Sequence, residues 1–395
     1  MEFGIDRVAS LVPRLRGKRF GLLAHPASVD ARLSHISSVL RREGLRPEII
    51  FGPEHGYGGE AQDMISVTDA RDRDGIVVRS LYGAEESALS PNPEDIRGLD
   101  AIVVDLQDVG ARYYTFIWTA VLVLRVASKL GVPLIVLDRP NPLGGTVIEG
   151  RLPEAPLYHS FVGLEPMPIR HGLTLGEVVR WRAREEKLPP ESVEVVEVLG
   201  WQRDAEAPSC DRPFVMPSPN MPDYLTARVY PGACLLEGTN LSEGRGTTRP
   251  FELVGAPWLD GERLAGELMK TGLPGFTARP VSFRPMFQKH GGRDCGGIYV
   301  HVTDGRFRSV ATYAALIACA YSQNREHFRF RTERYEFRDD VPALDLLCGG
   351  PHVREAIVRG DSPREVAEYL SQVSPNGEKF TKDYWGSALL YPPSA

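Results

Sequence analysis

"DAIVVDLQDVGARYYTFIWTAVLVLRVASKLGVPLIVLDRP" spans residues 100–140, and its reading decides the fold class. An apolar, β-branched run ends at Asp108. A helical run then extends from Tyr113 to Leu130 and stops at Gly131, and a second apolar strand follows over 132–140. Two strands joined by a helix lie parallel, and strands apolar on both faces need helices on both sides of the sheet.

The same alternation continues outward. Upstream, "RFGLLAH" (19–25), "PEIIFGP" (47–53) and "IVVRSLYG" (76–83) read as strands, and "SHISSVLRREG" (34–44) as an amphipathic helix closed by Gly44. Downstream, Thr174 and Glu177 form a capping-box pattern that opens a helix through Lys187, before a strand at "VEVVEVLG" (193–200). The pattern changes after the Pro-rich "FVMPSPNMPDY" (214–224). A helix over 260–271, strands at "FTARPVSF" (276–283) and "GGIYVHVT" (296–303), and a helix from Ser309 to Gln323 indicate a smaller α+β domain. The expectation is an α/β domain over 1–230, with helices on both faces of a parallel sheet, followed by an α+β domain over 231–395.

Composition narrows the function. With 46 Lys plus Arg against 52 Asp plus Glu, the net charge of -6 argues against non-specific nucleic-acid binding. The longest apolar stretch, "WTAVLVLRVA" (118–127), is interrupted by Arg125 and too short to span a bilayer. Five scattered cysteines form neither CxxC pairs nor Cys/His clusters, so buried free thiols are expected rather than a metal site. The first twenty residues are charged throughout and lack a signal-peptide core, which reads as cytoplasmic. A chain trimmed of its export signal would read the same.

Ligands of open parallel sheets collect at the carboxyl ends of the strands. Here those ends carry His25, Glu54 and His55, Tyr82, Asp105, Gln107 and Asp108, then Asp138, Arg139 and Asn141. That convergence predicts a polar ligand cleft. In "FGPEHGYGGEAQ" (51–62), Gly56, Gly58 and Ala61 loosely fit a dinucleotide fingerprint, but Glu54 and Glu60 would set negative charge beside a pyrophosphate. A carboxyl at a strand end, partly desolvated, could instead give a proton to a leaving oxygen. The bland alternative pairs Glu54 with an arginine and leaves His55 capping a turn.

A second polar stretch, "EGTNLSEGRGTTRPFE" (237–252), sets Arg245 and Arg249 among glycines, with Asn240, Ser242, Thr247 and Thr248 as further hydrogen-bonding groups. Asn220, in "MPSPNMP" (216–222), is either part of a stiff linker or faces the cleft. Arg112, Tyr113 and Tyr114 could stack on a sugar or simply pack in the core. Arg170 and His171 precede a helix, and "KHGGRDCGG" (289–297) is a loop over the cleft or a hairpin turn.

"FGPEHGYGG", "SLYG", "DLQDVGARYYTFIWT", "LDRPNPLGG", "EGRL", "PIRHGLTLGE", "PSPNMP" and "GTNLSEGRGTTRPFE" stand in an order that resembles the exo-β-N-acetylmuramidase (NamZ/YbbC-like) family, with "CGGIYVHVTD" and "LDLLCGG" extending the likeness. The resemblance implies a Rossmann-like first domain, a smaller second domain and an active-site groove between them. It implies release of non-reducing-end N-acetylmuramic acid (MurNAc) from peptidoglycan fragments, with Glu54 of the P-E-H-G motif as general acid and neither cofactor nor metal. Many relatives are exported.

On that reading His55 shares or tunes the proton, and Asp105, Asp108 and Glu243 are candidates for a second carboxylate. The substrate's own acetamido oxygen is an alternative nucleophile. Arg245, Arg249, Arg139 and Arg112, in that order, are candidates for the lactyl carboxylate. Tyr82, Tyr113, Asp138, Asn141, Asn220 and Asn240 complete the expected sugar contacts. Two rivals stand beside it: a non-catalytic muropeptide-binding protein and a nucleotide-dependent α/β enzyme.

Overall fold

In a computed structural model describing residues 1–62, 64–154, 156–373, 386 and 388–391, seven strands build the first sheet. They are β1 (Phe20–Ala24), β2 (Ile49–Gly52), β3 (Ala70–Arg71), β4 (Val77–Ser80), β5 (Ala101–Asp105), β6 (Leu134–Leu137) and β7 (Val193–Val196). Their order is β3-β4-β2-β1-β5-β6-β7, parallel throughout except for β3 against β4. The winding direction reverses between β1 and β5, where Ala24 stands opposite Asp105.

Side chains alternate across this sheet as the pleat requires. Leu23, Phe51, Ile102, Val104 and Val136 enter one core, while Leu22, Ile50, Val103, Ile135 and Leu137 enter the other. The helices Phe116–Lys129 and Leu175–Glu185 feed the first core. The second is closed by the 3-10 segment Gly4–Leu11, the helix Ile36–Arg42 and Trp201. The capping box at Thr174 and Glu177 is present. The helix Phe116–Lys129 is buried on nearly every side of its first two turns, because the first core continues past it into the second domain.

That second domain holds an antiparallel sheet of β8 (Leu253–Ala256), β9 (Phe276–Phe283) and β10 (Cys295–Val302), in the order β8-β10-β9. β8 was not anticipated. Neither was the helix Tyr224–Ala233, which Asp223 caps immediately after the Pro-rich passage, nor the helices Ala343–Cys348, His352–Arg359 and Pro363–Ser371. Residues 289–294 lie in the turn of the β9–β10 hairpin, one of the two roles expected for that stretch.

Arg112 joins the two domains. Its guanidinium is fully buried and donates to the carbonyls of Arg151 (2.6 Å), Met167 (2.8 Å) and, across the boundary, Leu347 (2.6 Å). Burial lowers its pKa to about 10. It holds backbone, not sugar, which corrects the expectation. Arg112→Met strands three carbonyls and is expected to cost about 3 kcal/mol in denaturant unfolding. A change within experimental error would show that those carbonyls are satisfied elsewhere.

Candidate active site

β2 ends at Gly52, where a Cβ would meet the Tyr57 amide nitrogen at 2.6 Å, so the following turn packs tightly on the strand end. Gly56 N–H closes that turn onto the Pro53 carbonyl (2.9 Å), and His55 adopts the left-handed region at φ 69. The turn projects Glu54 beyond the sheet. One Glu54 oxygen accepts from the Thr115 hydroxyl (2.7 Å), and the other from the Met64 amide (3.4 Å). Thr115 occupies the N-cap of the helix Phe116–Lys129 but makes no side-chain cap bond; its hydroxyl serves Glu54 instead. His55 Nδ1 donates to the Ala61 carbonyl (2.8 Å).

Glu54 and His55 line a small cavity, of about 40 Å³, shared between the domains. Tyr113, Tyr114 and Asn220 come from the first domain, and Tyr230, Glu237, Arg245, Phe251, Tyr335 and Glu336 from the second. Phe251 and Glu336 also hold positive φ (66 and 45), so three residues facing this one cavity have backbone that L side chains rarely adopt. Asn220 donates to Gln62 (2.8 Å), tying the P-S-P-N-M-P segment to the loop that carries Glu54.

Glu237 sits on the 3-10 segment Cys234–Gly238. It accepts from Arg245 Nη2 on one oxygen (2.7 Å) and from the Tyr335 hydroxyl on the other (2.7 Å). Burial alone would raise its carboxyl, but the Arg245 charge, these two hydrogen bonds and the more distant Lys289 hold it below the ordinary carboxylate range. The cavity thus sets a carboxyl held by a hydroxyl and an amide, from one domain, against a carboxylate held by an arginine and a tyrosine, from the other. Among the described residues, no group of three or more His, Cys, Asp or Glu could hold a metal ion.

Residues 20–225 match the family described as exo-β-N-acetylmuramidase NamZ, N-terminal, and residues 228–387 match its C-terminal counterpart. The chain belongs to the NamZ family. Along 391 residues it is 38% identical to the peptidoglycan β-N-acetylmuramidase NamZ of Bacillus subtilis (strain 168), covering 97% of this chain and 91% of that protein. Two crystal structures of DUF1343 family proteins from Bacteroides fragilis share the architecture. One is 28% identical with a TM-score of 0.85, covering 99% of each chain. The other is 26% identical with a TM-score of 0.73, covering 100% of this chain and 99% of that one.

Within this NamZ-family chain, the polar strand ends separate into cavity residues and framework. Asp105 is fully buried and locked to Arg139, Oδ1 to Nε at 2.5 Å and Oδ2 to Nη2 at 3.0 Å. Neither lines the Glu54 cavity, so the structure gives Asp105 no place as a second carboxylate there and Arg139 none as a lactyl partner. Asp138 accepts from Thr174 Oγ1 (2.7 Å), Gly176 N–H (2.8 Å) and the Tyr391 hydroxyl (2.7 Å), and Asn141 bridges Leu143 N–H and the Leu173 carbonyl. Both fix backbone. Asp108 accepts from Gly110 N–H (2.7 Å) and lies 3.3 Å from His171 Nε2, outside the cavity lining. Arg170 pairs with Glu149 at 3.4 Å.

The second polar stretch divides in the same way. Arg245 is the only Lys or Arg lining the cavity among the described residues. Glu243 turns away to Lys289 (3.0 Å) and Arg245 Nε (3.2 Å), Asn240 binds Arg329 N–H and the His327 carbonyl, and Arg249 pairs with Asp223 (3.0 Å). Tyr82 does not line the cavity but donates to Glu336 (3.1 Å), which does. Tyr113 lines it while donating to the Pro231 carbonyl. Thr115, Glu237, Tyr335 and Glu336 were not anticipated. Glu237 opens the second polar stretch and Thr115 lies within a family-like motif of the sequence; Tyr335 and Glu336 carried no local signal.

A second cavity, of about 950 Å³, lies beside the β1–β5 reversal and includes Gln107 and Arg139, but shares no lining residue with the Glu54 site. Stretch 53–62 forms turns and extended chain, not the helix N-terminus that a dinucleotide fingerprint needs to bind a pyrophosphate. All five cysteines are buried and free, and no helix among the described residues is long and apolar enough to cross a membrane.

His25, at the end of β1, braces the site from behind. It is fully buried, accepting from Gln107 N–H at Nε2 (3.0 Å) and donating from Nδ1 to the Pro217 carbonyl (3.3 Å). Burial and then the Arg139 charge lower its pKa from 6.5 to about 3. Between those values the unfolded chain binds a proton that the folded chain refuses. The stability it contributes is therefore present above pH 6.5 and lost as the pH falls toward 3. Denaturant midpoints are expected to fall from pH 7 to pH 4, and His25→Gln to flatten that fall. An equal slope in the variant would assign the acid lability to other groups.

Proposed function

We infer that this chain is a glycoside hydrolase that removes non-reducing-end β-1,4-linked MurNAc from peptidoglycan fragments. Glu54 is the proton donor and Glu237 the second carboxylate. The observation that carries this is the meeting of Glu54 and Glu237, from different domains, in one partly enclosed cavity. Aromatic rings line it, as sugar faces require.

Protonated Glu54 gives its proton to the leaving glycosidic oxygen as the anomeric carbon becomes cationic. Glu237, kept anionic by Arg245 and Tyr335, stabilises that cation directly or orients the substrate's acetamido group for attack. Of the four arginines considered for the lactyl carboxylate, Arg245 alone reaches the cavity, and it already holds Glu237.

Wild-type protein is expected to release chromophore from a chromogenic β-MurNAc glycoside in preference to the β-GlcNAc analogue. No release from either would overturn the assignment in favour of a muropeptide-binding protein. Glu237→Gln is expected to lower kcat/KM about a hundredfold and to remove the acidic limb of its pH profile. An unaltered limb would place the second carboxylate elsewhere, with Glu336 the next residue to test.

A further inference from the structure

Beside the Glu54 cavity lies an open groove of about 420 Å³ that holds Lys289, His290, Arg329 and Arg331. Two chain segments line both spaces. Along one segment, Glu237 lines the cavity while Thr239 and Asn240 line the groove; along another, Tyr335 and Glu336 line the cavity while Arg329 and Arg331 line the groove. The two spaces also meet through Met64, whose amide donates to Glu54 (3.4 Å) and whose sulfur lies 3.8 Å from Arg331 Nη2.

The groove is basic in a chain of net charge -6. Lys289 is paired with Glu243 (3.0 Å). Arg329 donates only to the backbone carbonyls of Glu326 (2.6 Å) and Phe328 (2.7 Å), and Arg331 to the Arg334 carbonyl (3.0 Å) besides the Met64 sulfur. Among the described residues neither arginine has a carboxylate partner, and Glu333 is the single acid among the groove residues. Guanidinium groups presented without acids are planar forks for a carboxylate.

We propose that this groove is the subsite for a carboxylate carried by the glycan beyond the scissile bond. The proposal rests on the exo-muramidase reading. If the terminal sugar fills the enclosed cavity, the rest of the strand leaves through its open side, and every second sugar of that strand bears a lactyl carboxylate or an acidic peptide stem. The shared ligand chemistry is an anionic carboxylate held outside the reacting sugar.

The test compares kcat/KM for three substrates: a chromogenic β-MurNAc glycoside, the trisaccharide MurNAc-GlcNAc-MurNAc, and that trisaccharide with a peptide stem on its last sugar. Exposed Arg329→Glu is expected to leave the chromogenic glycoside unchanged, to lower the substrates with a carboxylate beyond the scissile bond about tenfold, and to weaken their salt dependence. Arg331→Gln is expected to do the same to a smaller degree. Loss confined to the stem-bearing substrate supports the subsite and identifies the stem as the source of the carboxylate. Loss confined to the unstemmed trisaccharide supports it and identifies the lactyl group, whose carboxyl is an amide in the stemmed substrate; loss on both shows that either carboxylate fills the subsite. Equal effects on all three substrates, or none, overturn the proposal while the hydrolase reading stands. A wild-type protein inactive on every substrate overturns the hydrolase reading itself.

Discussion

Glu54→Gln is expected to lower kcat/KM for a chromogenic β-MurNAc glycoside by about 10²- to 10⁴-fold, the usual contribution of a positioned general acid. Glutamine keeps the length and planarity of the side chain, so the Thr115 hydroxyl and the Met64 amide retain an acceptor. What it removes is the transferable proton. The loss should appear in kcat as well as kcat/KM, because the interaction is made in the transition state. Thermal unfolding should move little, since no buried charge pair is broken at Glu54. Substrates with better leaving groups need less protonation and should lose less. A rate within a fewfold of wild type would move the acid elsewhere.

The second large effect concerns stability. Arg139→Met is expected to cost about 3–5 kcal/mol in denaturant unfolding, because it leaves Asp105 charged, buried and unpaired. The pair lies at the β1–β5 reversal, and Arg139 Nη2 also donates to the Val29 carbonyl (3.0 Å). The double variant Asp105→Asn/Arg139→Met should recover part of the loss, since breaking one partner of a buried pair costs more than removing both. Activity per folded molecule should persist in either. A raised KM with unchanged stability would instead make Arg139 a substrate contact.

These two residues show why the strand ends misled. Asp105, Asp138 and Glu54 look alike in sequence: each is a carboxylate closing an apolar run. Asp105 meets a guanidinium 34 positions away, and Asp138 meets the amide that opens a helix 38 positions on. Among the described residues Glu54 meets a hydroxyl and a distant amide, and it lines the cavity.

By itself the sequence determined the parallel sheet, its flanking helices and the glutamate turn. Apolar periodicity and turn chemistry act over a few residues, so they are written locally. Which carboxylates are neutralised, which line the cavity, and that Tyr335, from 98 positions away, joins Arg245 in holding Glu237 anionic were decided by tertiary structure alone. Ionisation and access depend on the groups that folding brings within a few ångströms, and strand order and domain docking choose those groups.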